Sequence, residues 1–136
     1  IKQVSSSTYR RLVQKSVNAA RVLGKSPVLG TLPPPCCDHE GLATFSPSFS
    51  EVVRDIARKN EVPLADFELA WRTTCGGQPG RCDLYNLPEG LHPNTKGYDV
   101  MGQVVLAALF GVDIFAADCP AQLEQRLGLA PGSVVV

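Results

Sequence analysis

The sequence carries no excess of charge: 13 Lys and Arg balance 13 Asp and Glu, and the pI is near 6.9. That balance gives no electrostatic footprint for nucleic acid or for an anionic membrane surface. No apolar run reaches the roughly 20 residues of a bilayer crossing. The longest, Met101 to Phe110, is too short and has helical spacing. A Gly-rich phosphate loop of Walker or Rossmann form is missing, as are a Gly-x-Ser-x-Gly elbow, internal repeats and low-complexity stretches. There is no initiator Met and no signal peptide, and the chain runs from Ile1 almost directly into a helix pattern. Its end, Gly132-Ser133-Val134-Val135-Val136, is apolar. These features lead us to expect a piece cut from a larger protein, so the missing leader carries no message about location.

What is present is globular in character. Hydrophobic residues make up 44% and charged residues 19% of the 136, which excludes disorder and provides for one buried core. Tyr9, Leu12, Val13, Ser16, Val17 and Ala20 fall at helical spacing, with Gly24 as a stop. Pro27 to Leu32 reads as a short strand buried on both faces, ended by prolines at Pro33. Ser48 and Glu51 have the form of a capping box for a second helix, with Phe49, Val52, Val53, Ile56 and Ala57 inward and Arg58-Lys59-Asn60 at its end. Val62 to Phe67 is a second strand candidate, where Pro63 fits only the first position or an edge.

Leu69 to Leu87 reads as irregular. A third helix is expected from a cap at Asn94 or Thr95, burying Tyr98, Met101, Val104, Val105, Ala108 and Leu109. A short helix around Gln122 to Leu127 completes the pattern. Helix, strand, helix, strand, helix argues for βαβ units and a parallel sheet flanked by helices. Two strands are too few for such a core, and the others are expected from sequence before Ile1. The isolated chain is accordingly expected to be poorly stable.

Five cysteines are present: Cys36, Cys37, Cys75, Cys82 and Cys119. Cys75 and Cys82 bracket a flexible Gly-rich loop that can bring the two sulfurs together, as an oxidising compartment would allow. The rival reading is a zinc site from Cys36, Cys37, His39 and the later pair. Neither pair has the C-x₂₋₄-C spacing usual for zinc.

His92 lies between a polar loop and a helix start. Sites in open α/β sheets form outside the carboxyl ends of the strands, and the loops after Leu32 and Phe67 lie there. A neutral imidazole takes a proton from a hydroxyl when a carboxylate fixes its tautomer. Glu89 precedes His92 by three residues, with Gly90 between them to permit a tight turn. The plainer reading is a solvent-exposed loop His beside an unrelated Glu. His39 is a surface residue on its plainer reading, and Asp66 is either a site lining or a cap for the next segment. Tyr98 and Trp71 are expected in the core or a pocket wall, and Thr31 and Leu32 at a pocket floor.

Glu89-Gly90-Leu91-His92-Pro93-Asn94-Thr95-Lys96-Gly97-Tyr98 resembles the last block of the SGNH (GDSL-type) hydrolase family, Asp-Gly-Leu-His-Pro-Asn, two variable residues, then Gly-Tyr. The resemblance extends to Pro27–Pro34, similar to a late strand of the family, and to Glu51–Phe67, similar to the following helix and strand. It covers about Tyr9 to Phe110. It implies a three-layer α/β/α flavodoxin-like fold and an esterase, lipase or deacetylase type of reaction. Residues 1–110 would be the C-terminal part of that domain, and 111–136 an extension or tail.

By the same resemblance His92 would be the general base and Glu89 the acid, with one methylene more than the family's Asp. The nucleophile block Gly-Asp-Ser-Leu and the glycine and asparagine oxyanion donors have no match here; Ser5, Ser6 and Ser7 suit an N-cap or linker. The leading expectation is therefore the His and acidic members of a Ser-His-Asp/Glu triad whose serine lies outside this chain, so that the chain alone is inactive. The alternative is a non-catalytic carbohydrate- or partner-binding module. The expected partner is a small-molecule, carbohydrate or lipid ester, with no cofactor, no metal, no nucleic acid and no membrane span, in a secreted or periplasmic setting.

Overall fold

A computed structural model of the chain describes residues 4–36, 46–76, 83–87 and 90–134. Helix α1, Ser6–Val22, starts before Tyr9 because Ser5 caps it: its hydroxyl accepts from the Thr8 N–H at 3.2 Å. Its inward stripe is narrower than the spacing suggests. Val17 is buried with Tyr9 and Val13 beside it, while Leu12 and Ser16 are exposed.

Helix α2, Ser46–Asn60, packs against α1 through Val52 and Ile56. It begins two residues ahead of the expected capping box, so Ser48 lies inside the first turn. Pro47, with its φ preset for a helix start, makes the earlier start favourable. Polar contacts frame the seam: Arg10 and Asp55 form an ion pair, and the Gln14 and Asn60 amides exchange hydrogen bonds of 2.9 and 3.0 Å. Lys59, Arg10 and Arg58 around Asp55 hold its carboxyl down at about 2.

Strand β1, Leu29–Gly30, pairs in parallel with β2, Leu64–Ala65, in the register Leu29↔Leu64 and Gly30↔Ala65. The Leu29 N–H donates to Pro63 O at 3.0 Å and the Thr31 N–H to Ala65 O at 3.1 Å. Both strands are shorter than the apolar runs that contain them. Pro63 has no N–H to extend the ladder backwards, and Asp66 turns the chain into a helix immediately after it. The expectation of two buried faces holds for Thr31 but not for Leu32, which is 40% exposed.

Helix α3, Phe67–Thr74, lies where the sequence reads as irregular. Asp66 caps it by accepting from the Leu69 N–H at 3.1 Å, with Glu68 in its first turn and Arg72 in its last, as the helix dipole favours. Helix α4, Thr95–Phe110, is capped by Asn94 as expected. Val104 is buried and Met101, Val105 and Ala108 pack against the core as expected, Gly97 and Ala107 are buried beside them, and Tyr98 and Leu109 are instead 56% and 52% exposed. Helix α5, Cys119–Leu127, begins ahead of Gln122 and carries Pro120 in its first turn.

The architecture is α/β: helix-rich, with two parallel strands among the described residues. One core cluster joins β2, α3, α4 and the site loop through Ala65, Ala70, Trp71, Leu84, Tyr85 and Val104. A second seats Val112, Cys119 and Leu123 against Ala107 of α4. No helix among the described residues is long and apolar enough to cross a membrane.

Candidate active site

Residues 84–87 and 90–94 are bonded to one another around His92. Tyr85 and Pro93 form an antiparallel bridge. The Asn94 N–H donates to Leu84 O and the Asn86 N–H to His92 O, each at 2.9 Å. Two side-chain amides reinforce the closure: Asn86 Nδ2 donates to Pro93 O at 3.2 Å and Asn94 Nδ2 to Tyr85 O at 3.1 Å. Asn94 also accepts from the Gly97 N–H at 3.1 Å, so a single side chain closes the loop and starts α4.

Two glycines of this block are required by geometry. Gly90 has φ +67°, a backbone region that side-chain-bearing residues rarely adopt. Its N–H donates to Asn86 O at 2.7 Å, forming a turn inside the loop. Gly97 lies against the loop so closely that a Cβ would collide with Leu84 O and come within 2.7 Å of Pro93 Cβ. The glycine lets α4 rest directly on the base of the loop.

The loop is tied to the segment that leaves β1. The Cys36 N–H donates to Gly90 O at 2.9 Å, and the Tyr85 hydroxyl donates to Pro34 O. The loop that carries the exposed His92 is thereby joined to the segment that follows β1. Glu89 lies outside the described residues, as do His39, Cys37 and Cys82. Cys36 and Cys75 each take part in a disulfide, and Cys119 is a free, buried thiol whose pKa burial raises. Bonded sulfurs are not thiolates, so Cys36 and Cys75 are lost to the zinc alternative.

Asp66 belongs to a different constellation. Its carboxylate receives Arg54 Nε and Nη2, each at 2.8 Å, and the Thr31 hydroxyl at 2.9 Å. Burial works to raise its pKa, but the Arg54 guanidinium, the Leu69 N–H and the Thr31 hydroxyl together bring it below the ordinary carboxylate value. Arg54 is in turn held more firmly protonated by Asp66. Glu68, only 3% exposed, accepts from Arg54 at 3.0 Å and from Arg72 at 2.8 and 3.1 Å. The Thr31 hydroxyl also accepts from the Glu68 N–H at 2.9 Å. Asp66 is thus a helix cap and an ion-pair centre. Thr31 fastens the ends of the two strands together, and Trp71 is fully buried in the core.

A cavity of about 510 Å³ lies between α3, α4 and Ile114-Phe115, with Leu84, Lys96 and Asp99 in its walls. His92 is not part of its lining. Sequence reasoning missed Tyr85 and Arg54, because their partners lie 51 and 12 residues away. The only local signal was the Asp66-x-Glu68 helix-start pattern.

A family model described as GDSL-like Lipase/Acylhydrolase matches residues 3–105, and the chain belongs to that family. No curated protein and no solved structure matches it.

Proposed function

We propose that this chain supplies His92 as general base and Glu89 as orienting carboxylate of a Ser-His-Asp/Glu triad for acyl-ester hydrolysis, within a three-layer flavodoxin-like domain. The observation that carries the reading is the exposed His92 on a loop stitched to the exit of β1 by Cys36 N–H···Gly90 O and Tyr85 O–H···Pro34 O. Family membership supplies the ester chemistry. The sequence holds no Gly-Asp-Ser-Leu block, so the serine is assigned to sequence preceding Ile1.

In the reaction the serine Oγ attacks the ester carbonyl as His92 takes its proton. The tetrahedral intermediate collapses, the C–O bond to the alcohol breaks, and the imidazolium returns the proton to that alcohol. Water then attacks the acyl-serine, again losing a proton to His92, and the carboxylic acid leaves as the serine regains its hydrogen. Glu89, three residues before His92, would hold the imidazole tautomer and stabilise the imidazolium. The disulfides at Cys36 and Cys75 fit a secreted or periplasmic setting.

The test is p-nitrophenyl acetate hydrolysis and labelling by a serine-directed fluorophosphonate, in the protein with its upstream sequence and in this chain alone. Turnover and labelling in the longer protein only, abolished by His92→Ala, are expected. Silence in both would overturn the catalytic reading in favour of a non-catalytic binding module.

A further inference from the structure

The structure holds the His92 loop from outside as well as from within. Its own closure is local, through Asn86 and Asn94. Two further hydrogen bonds come from the segment after β1. One, Cys36 N–H to Gly90 O, grips the loop two residues before His92. The other, Tyr85 O–H to Pro34 O, grips the strand that bridges to Pro93, the residue after it. The two contacts thus flank His92 on both sides.

Both grips start from rigid anchors. Tyr85 is buried, with its ring 6.2 Å from that of Trp71 in a tilted pair. Burial raises its pKa, so the hydroxyl keeps its proton and remains a donor throughout the neutral range. Cys36 is buried and disulfide-bonded, and the strand behind it is fixed to β2 at Thr31. A catalytic group held loosely by about 1 Å loses much of its effect.

We infer that Tyr85 is a positioning residue for His92, locking the base of the histidine loop to the segment leaving β1 through the Pro34 carbonyl. The inference rests on the catalytic reading for its kinetic consequence and on the loop geometry alone for its structural one. Tyr85→Phe keeps the ring against Trp71 and removes only the donor, leaving a buried carbonyl short of a partner.

The experiment compares wild type, Tyr85→Phe and Tyr9→Phe in the protein with its upstream sequence. Three readouts are taken: ester kinetics, hydrogen exchange at the Asn86 and Gly90 amides, and the His92 ring Cε1–H resonance. For Tyr85→Phe we expect kcat lower by roughly 3–10-fold at unchanged KM, faster exchange at both amides and a shifted or broadened His92 signal. Tyr9→Phe, whose ring stacks on Phe49 in the α1–α2 seam, should change none of the three. Unchanged exchange and an unchanged His92 signal in Tyr85→Phe would overturn the positioning role, whatever happens to melting temperature. If the wild type hydrolyses no ester, the catalytic reading falls, and exchange with the ring signal still decides whether Tyr85 holds the loop.

Discussion

Two corners of the molecule are joined to the segments that leave the two parallel strands, and each contains a group suited to acid–base chemistry. At the corner of Asp66, charges meet charges: Arg54 bridges Asp66 and Glu68, Arg72 closes on Glu68, and Thr31 completes the set. At the corner of His92 the holding is done by backbone groups and amides, and the imidazole is left exposed. A carboxylate saturated by guanidinium and hydroxyl donors is fixed as an anion and has little left to offer a substrate. A histidine whose loop is fixed through carbonyls and N–H groups keeps its ring accessible. The contrast separates a structural ion-pair centre from the proposed site of chemistry, although both carry titratable groups.

The sharpest way to break this comparison is His92→Ala in the protein with its upstream sequence. Ester kcat/KM should fall by about 10²–10⁴-fold with little change in melting temperature. A variant that keeps its activity would move the chemistry elsewhere. Glu68→Ala should do the reverse, lowering stability by roughly 2–4 kcal/mol in urea unfolding because Arg54 and Arg72 lose a buried partner. If its kcat fell as far as that of the His92 variant, the two corners would be one site.

Gly97→Ala tests the joint between α4 and the loop. Overpacking against Leu84 O and Pro93 should cost about 1–3 kcal/mol, and kcat should fall with it as the loop is displaced. The next effect is a pH dependence. Asp66 has a folded-state pKa below its ordinary 3.8, so in acid the unfolded chain binds its proton first. Its contribution is complete above about pH 4 and is lost as pH falls through the folded value. Asp66→Asn should therefore flatten the stability profile below pH 4, as read from urea midpoints; an unchanged slope would show that the Arg54 pairing does not reach the folding equilibrium. The smallest effect belongs to Lys96→Ala. Its pair with Asp83 is exposed on both sides, and melting temperature should not move measurably.

Much of the site was legible because its signals are local. Asn94 as cap and His92 on the loop before it fall within a few residues of one another, whereas the close contact of Gly97 with Leu84 was not read because its partner lies farther along the chain. Asp66 was half legible: the possibility of a cap was open, but Arg54 lies 12 residues away and spacing alone does not bring it there. Helix α3 was missed because an apolar run before Asp66 and a Gly-rich loop after Thr74 leave a window too short for clear periodicity. The face of α4 was read correctly at its centre, through Met101, Val104, Val105 and Ala108, and wrongly at its edges, Tyr98 and Leu109. Nearly every position of Val100 to Phe110 except Gly102 and Gln103 is apolar, so the sequence marks a helix without marking where its inward side ends.

The amino-acid sequence determined on its own the α/β alternation, the cap of α4, and the block from Glu89 to Tyr98 with its histidine, because each rests on residues close along the chain. Tertiary structure alone decided the partners of Asp66 and Glu68 and the contacts that hold the His92 loop. Hydrogen bonds such as Tyr85 to Pro34 and Arg54 to Asp66 form only once the strands have registered and the helices have packed. The energy of pairing a buried charge, or of fixing an exposed one, depends on neighbours that no local window contains.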